Sequence, residues 1–208
     1  MAHYKHIIFD LDGTLTDTEL AILKTWQQTL REYGYDFTLN ALQSVLGITQ
    51  DMALKKLNVK VDDDFDNRWL ENYSLLGKDP QFFDGVQELL KRIKQSGRSV
   101  GLVTSRYKTE LENYFSTLYL QDIFDCIVCA DDTRLHKPHN EPIRKYMDTM
   151  QAVSNECIYI GDMVTDIMCA NAANIDAGLA LWNGKIIEHC NAQFYFSSTN
   201  ELLRLLNC

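Results

Sequence analysis

Proline is scarce, with three residues in 208, and no proline-rich tract, internal repeat or low-complexity stretch divides the chain into segments joined by a linker. Long apolar runs are absent too. Stretches such as Ile7-Ile8-Phe9 and Gly178 to Trp182 fall far short of the roughly 18 residues of a membrane-spanning helix, and no apolar signal-type region follows Met1. Basic charge is in deficit: 20 Lys and Arg face 29 Asp and Glu, a net charge of -9, which argues against a surface built to coat nucleic-acid phosphates. These absences predict a cytoplasmic protein with neither a membrane nor a nucleic acid as partner. What is present is a 46% hydrophobic, 24% charged composition, enough apolar material for one full core and a small appendage. Six cysteines lie mostly in apolar, strand-like stretches of a chain large enough to fold without disulfides, so they read as reduced thiols. Cys126 and Cys129 form a C-x-x-C, but inside the run Cys126-Ile127-Val128-Cys129, where residues three apart on a strand face opposite ways.

Short apolar runs alternate with longer helical patterns, as in βαβ units on a parallel sheet. Strands are expected at 6–9, 99–103, 126–129, 157–160 and 178–181. Between residues 16 and 81 the alternation stops, and helical stretches near 18–33, 38–46, 49–57 and 63–76 follow without a strand. The main pattern resumes with a helix over 84–96, with Asp84 as its N-cap and Gly97 as its stop. The expected architecture is therefore α/β: a Rossmann-like, doubly wound parallel sheet from residues 1–15 and 82–208, with a small helical domain, 16–81, inserted after the first strand. Ligands of such sheets bind at the carboxyl ends of the strands.

The polar groups at those ends carry the functional signal. Asp10-Leu11-Asp12-Gly13-Thr14 follows the first strand, so both carboxylates can face one crevice, although the same string taken alone also fits a turn. Gly161-Asp162-Met163-Val164-Thr165-Asp166 follows the fourth, and helix capping accounts for only one of its two acids. Carboxylates gathered in this way call for a hard divalent cation with oxygen ligands, Mg²⁺ above all. Thr104-Ser105 ends the second strand, where it could seat an anion or cap a helix at 107–118. Lys137-Pro138 lies beyond the third, as a surface lysine or as a point charge for a phosphate and a carboxylate nucleophile.

In order and position these four elements resemble the motifs of the haloacid dehalogenase (HAD) superfamily. DLDGT resembles its first motif, Thr104-Ser105 the second, Lys137-Pro138 the third and GDMVTD the fourth. The resemblance covers nearly the whole chain: FFDGVQELLKRIKQSG is similar to the helix after the cap, the helical insert to a C1-type cap, and HKPHNEPI and GLALWNG to strings of the phosphoglycolate phosphatase-like and β-phosphoglucomutase-like branch. Asn140 stands where a second proline is usual, and Met163 where Thr or Ser is frequent.

The resemblance implies a Mg²⁺-dependent phosphatase acting on a small phosphorylated metabolite. Asp10 is then the nucleophile that forms an aspartyl-phosphate, and Asp12 the general acid and base, a role favoured by a raised pKa. Thr104, the backbone around Ser105, and Lys137 take up phosphoryl charge, and Asp10, the Asp12 carbonyl, Asp162 and Asp166 hold the metal. A sugar phosphomutase and a pyrophosphatase use the same site and stand as alternatives. A non-catalytic binding module does not fit a chain that keeps every acid of both motifs. The expected assembly is a monomer or homodimer. Asp17, Glu19, Arg68 and Trp69 are conceivable substrate contacts but read first as solvated helix faces or core of the insert, where Trp26, Tyr33, Tyr35 and Phe37 are also expected to pack. Arg106 is open between a substrate contact and a surface role at a helix start.

Overall fold

Strands β1 (His6–Phe9), β2 (Ser99–Val103), β3 (Cys126–Val128), β4 (Cys157–Gly161), β5 (Asp176–Ala180) and β6 (Phe194–Phe196) form one parallel sheet in the order β3-β2-β1-β4-β5-β6. The computed structural model describes residues 4–77, 80–187 and 190–208; residues 1–3 and 78–79, which belong to the expected segments 1–15 and 16–81, lie outside it. The strand order reverses beside β1, the position at which a doubly wound sheet opens a crevice. Side chains alternate along β1: Ile7 and Phe9 enter one core layer and Ile8 the other. The same alternation in β4 sends Ile158 and Ile160 to the first layer and Cys157 and Tyr159 to the second. Each fully buried aliphatic side chain in these layers contributes about 1.5–3 kcal/mol.

Among the described residues, four helices, α1 (Glu19–Glu32), α2 (Leu39–Leu42), α3 (Gln50–Leu57) and α4 (Phe65–Leu76), lie between β1 and α5 (Val86–Gln95) in the chain. They share a separate core of Leu23, Trp26, Leu30, Leu42, Val45, Phe65, Trp69 and Tyr73, with Tyr33, Tyr35 and Phe37 packed against it. The chain enters and leaves this helical layer through a narrow neck: Thr16 bridges Phe82, Asp17 N–H donates to the Gln81 carbonyl at 3.1 Å, and Phe83 N–H donates to Leu15 at 2.9 Å. Helices α6 (Lys108–Tyr114), α7 (Leu120–Ile123), α8 (Glu141–Met150), α9 (Val164–Ala173) and α10 (Thr199–Leu206) complete the flanks. Among the described residues no helix is long and apolar enough to cross a membrane.

Several boundaries differ from expectation. The helix expected at 38–46 divides into α2 and a 3₁₀ turn at Gln43–Val45, and that expected at 107–118 stops at Tyr114 before a 3₁₀ turn at Ser116–Leu118. Gly85, not Asp84, holds the N-cap position of α5. Strand β6 was not expected, because three residues, Phe194-Tyr195-Phe196, are too few to show a period. The six cysteines are free thiols. Cys129 gathers with Asp131 and Asp132 rather than with Cys126, and burial pushes its thiol up to about 12, an unreactive state.

Candidate active site

Asp10 follows β1 and is 4% exposed. Its carboxylate accepts from the Lys137 ammonium at 2.7 Å, and the same Nζ donates to Asp166 Oδ1 at 2.7 Å. Lys137 is itself 2% exposed, so the expected point charge is a buried counter-ion and not a surface lysine. Tyr159, from the middle of β4, backs the group: its hydroxyl donates to the Val103 carbonyl at 2.9 Å and lies 3.2 Å from both Lys137 Nζ and Asp166 Oδ1. Burial disfavours the Lys137 cation, yet its two carboxylates more than compensate and raise its pKa. Asp10 is pushed well above the usual carboxylate range by burial, and by Asp166 and Asp162, despite Lys137.

Asp162 is fully buried beside this group. It meets Lys185 Nζ at 2.8 Å, Asn183 Nδ2 at 3.1 Å and Thr14 Oγ1 at 3.3 Å. Burial, with Asp166 adding to it and Lys185 opposing it, raises its pKa to about 6. Gly13 lets it sit there: the residue has φ +81, and a Cβ in its place would lie 2.4 Å from Asp162 Oδ2. Asp10, Asp162 and Asp166 each offer an oxygen within 4.8 Å of the others. Three carboxylates thus face two ammonium groups, a deficit of positive charge that suits a further hard cation. The acid cluster is therefore able to hold a metal.

Asp12 lines the same cavity as Asp10. Its side chain does not join the acid cluster but forms a bidentate ion pair with Arg106, Nε to Oδ2 at 2.9 Å and Nη2 to Oδ1 at 3.1 Å, and accepts from Thr18 Oγ1 at 2.5 Å. Burial alone would raise its pKa, but the charge and hydrogen bonds of Arg106, with Thr18, lower it. The raised pKa that would favour an acid and base role is thus not what this environment provides. The cause is a guanidinium 94 positions away in the chain.

Arg106 does not take the surface role at a helix start. It is 6% exposed, its Nη1 donates to Glu110 at 2.8 Å, and its Cζ lies 5.6, 5.1 and 5.4 Å from the ring centroids of Trp69, Tyr73 and Phe115. Thr104 is buried and its Oγ1 accepts from the Arg106 N–H at 3.2 Å. The Ser105 hydroxyl donates to the Gly47 carbonyl at 3.0 Å and so ties the sheet to the helical layer. Asp10, Asp12, Thr104, Ser105, Arg106 and Trp69 line one cavity of about 60 Å³.

Of the other residues weighed, Glu19 pairs with Lys185 at 2.7 Å and Arg68 pairs with Asp64 on the surface at 3.1 Å. Met163 packs against the helical core, and the Asn140 Nδ2 donates to the Ala172 carbonyl at 2.9 Å. Lys185, Asn183 and Tyr159 were not singled out from the sequence. The first two follow β5, so the rule that strand ends face the crevice could have flagged them.

Residues 7–180 match the haloacid dehalogenase-like hydrolase family. A phosphoglycolate phosphatase of Xanthomonas campestris is 30% identical over 186 residues, covering 86% of this chain and 84% of its own. Pyrophosphatase PpaX of Bacillus cereus is 25% identical over 210 residues, covering 97% and 95%. Among solved structures, a hydrolase from Pseudomonas syringae superposes with a TM-score of 0.86 at 23% identity, covering 98% of both chains. CbbY from Rhodobacter sphaeroides, solved with phosphate, gives 0.84 at 18%, covering 99% of this chain and 100% of that one. At these identities the two structures speak for the fold.

Proposed function

The chain belongs to the haloacid dehalogenase-like hydrolases, and from that membership we propose a Mg²⁺-dependent phosphatase of small phosphorylated metabolites in which Asp10 is the nucleophile. The observation that carries this reading is the Asp10 carboxylate held by Lys137 at 2.7 Å, within one buried cluster with Asp162 and Asp166, on the wall of a cavity. That cavity, about 60 Å³, has room for on the order of five waters, which suits a phosphoryl group with a small leaving group. Asp10, the Asp12 carbonyl, Asp162 and Asp166 would hold the cation. When bound, Mg²⁺ supplies charge neutralisation between the substrate phosphate and these acids.

The protein's own groups do the rest. Asp10 attacks phosphorus in line and the leaving oxygen departs, giving an aspartyl-phosphate that water then hydrolyses. Lys137 and Thr104, with backbone N–H groups near Ser105, take up charge on the phosphoryl oxygens. Asp12 turns from Arg106 toward the phosphoryl site, takes up a proton once free of that cation, gives it to the leaving oxygen and later takes one from the attacking water. The helical layer, acting as a cap over residues 16–81, excludes water and contacts the leaving group. Pyrophosphate is a second reading, supported by the small cavity and by the Bacillus cereus relative.

The test is phosphate release across phosphoglycolate, hexose phosphates, nucleotides and pyrophosphate, with and without Mg²⁺. Release that needs the ion and disappears in Asp10→Asn is the expected result. Release that survives Asp10→Asn would remove the covalent route, and interconversion of hexose 1- and 6-phosphates with little free phosphate would make the protein a mutase.

A further inference from the structure

Arg106 is a cation built into the cavity wall with one edge committed and one edge exchangeable. Its Nη1 is fixed by Glu110 at 2.8 Å, and Glu110 is fixed in turn by the Tyr107 N–H at 2.8 Å. The flat face of the guanidinium rests among Trp69, Tyr73 and Phe115, so it stays in place without Asp12. The other edge, Nε and Nη2, is occupied by both oxygens of Asp12. Asp12 serves the leaving oxygen only by giving up at least part of that grip, and Arg106 and Asp12 line the same cavity as Asp10 and Thr104. Trp69 lines that cavity as well, and its buried indole N–H has no acceptor among the described residues.

We propose that Arg106 is the specificity-determining residue for the leaving group: its Nε and Nη2 edge binds a second, planar-faced oxyanion of the substrate, a carboxylate or a phosphate, in place of the Asp12 carboxylate. The inference rests on the phosphatase reading given above. In the absence of substrate Asp12 satisfies the guanidinium. With a doubly anionic substrate the oxyanion takes over and Asp12 is free to act. With a neutral leaving group the turn of Asp12 leaves a buried, charged donor pair unmet, which is how a polar site rejects an analogue that lacks the matching group. The preferred substrates are therefore compact phosphate compounds whose leaving group carries its own negative charge.

Wild-type protein with Mg²⁺ is to be compared on 2-phosphoglycolate and on its carboxamide, which keeps the shape and loses the charge, with pyrophosphate as the phosphate-bearing arm and methyl phosphate as a neutral reference. The expected result is a kcat/KM at least about 10-fold higher for the carboxylate than for the carboxamide. Arg106→Gln flattens that preference chiefly through KM. Arg106→Lys, which keeps the charge and the packed stem but not the two-pronged edge, flattens it in part and carries the assignment should the glutamine variant not fold. A higher value for pyrophosphate than for phosphoglycolate makes the oxyanion a phosphate, and the reverse makes it a carboxylate. Equal kcat/KM for carboxylate and carboxamide in the wild type would overturn the proposal. So would variants that lose the same factor on every substrate with the preference intact, the mark of a residue acting only through Asp12. No turnover on any substrate defeats the phosphatase reading itself, a result distinct from turnover without preference.

Discussion

Replacing Lys137 with methionine tests whether the acid cluster is held together by its buried ammonium. The side chain is 2% exposed and its Nζ lies 2.7 Å from both Asp10 and Asp166, whose own side chains are 5% and 1% exposed. Methionine keeps most of the volume, so the change removes charge and leaves two carboxylates in the interior without their cation. Breaking a buried pair in this way costs about 3–5 kcal/mol. With a urea slope of about 2 kcal/mol per molar, the unfolding midpoint should fall by roughly 2 M. The difference depends on pH in a definite sense. Asp10 already sits above its usual range, and without Lys137 it is pushed further. Both proteins lose stability as pH rises above the unfolded value near pH ~4, and the deficit widens where the wild type has released this proton and the variant still holds it. Urea titrations followed by far-UV circular dichroism, in EDTA at about pH 5 and about pH 8, should therefore show the larger deficit at the higher pH, and Mg²⁺ should recover part of it. A deficit under about 1 kcal/mol, or one that does not change between the two pH values, would refute the counter-ion role.

Two further outcomes follow from buried geometry. A Cβ at Gly101 in β2 would lie 2.2 Å from the Tyr146 ring, so Gly101→Ala should cost about 1–3 kcal/mol in urea unfolding while folded enzyme retains its kcat; an unchanged midpoint would show that the α8 side of the sheet gives way freely. Asp162, raised from 3.8 to about 6, favours its protonated form in the fold, so its carboxylate lowers stability by about 3 kcal/mol once pH passes 6. A cation that satisfies it should raise the melting temperature more near pH ~8 than near pH ~5. A Mg²⁺-induced shift of equal size at both would place the ion elsewhere.

The parts of the site legible in the sequence are those fixed by local geometry. Asp10, Thr104 and Asp162 each follow directly on an apolar strand, and a parallel sheet delivers such positions to one edge whatever the loops do. Lys137 was legible by motif, but its burial depends on Tyr159 and Asp166, which lie 22 and 29 positions further along the chain. The state of Asp12 was not legible. Its position came from the strand, but its pKa came from Arg106, and nothing local to the DLDGT string announces which cation it will meet. Lys185 could have been flagged by its place after β5, but its partners Glu19 and Asp162, from the helical layer and the sheet, could not. Helix ends and β6 failed on a smaller scale, where a residue or two of 3₁₀ turn or a three-residue strand carries no period.

The neck at Thr16 and Phe82 has a consequence for how such a molecule changes over time. Departure and return of the chain are pinned side by side, with Asp17 on Gln81 and Phe83 on Leu15, so whatever lies between them closes a loop whose ends the sheet has already brought together. Closure entropy grows only with the logarithm of loop length, about 0.6 kcal/mol for each doubling, so helices can be added, lost or exchanged above the neck at little thermodynamic expense to the sheet below. The insert can thereby drift on its own, while the strand-end acids and Arg106 stay where β1, β2 and β4 put them.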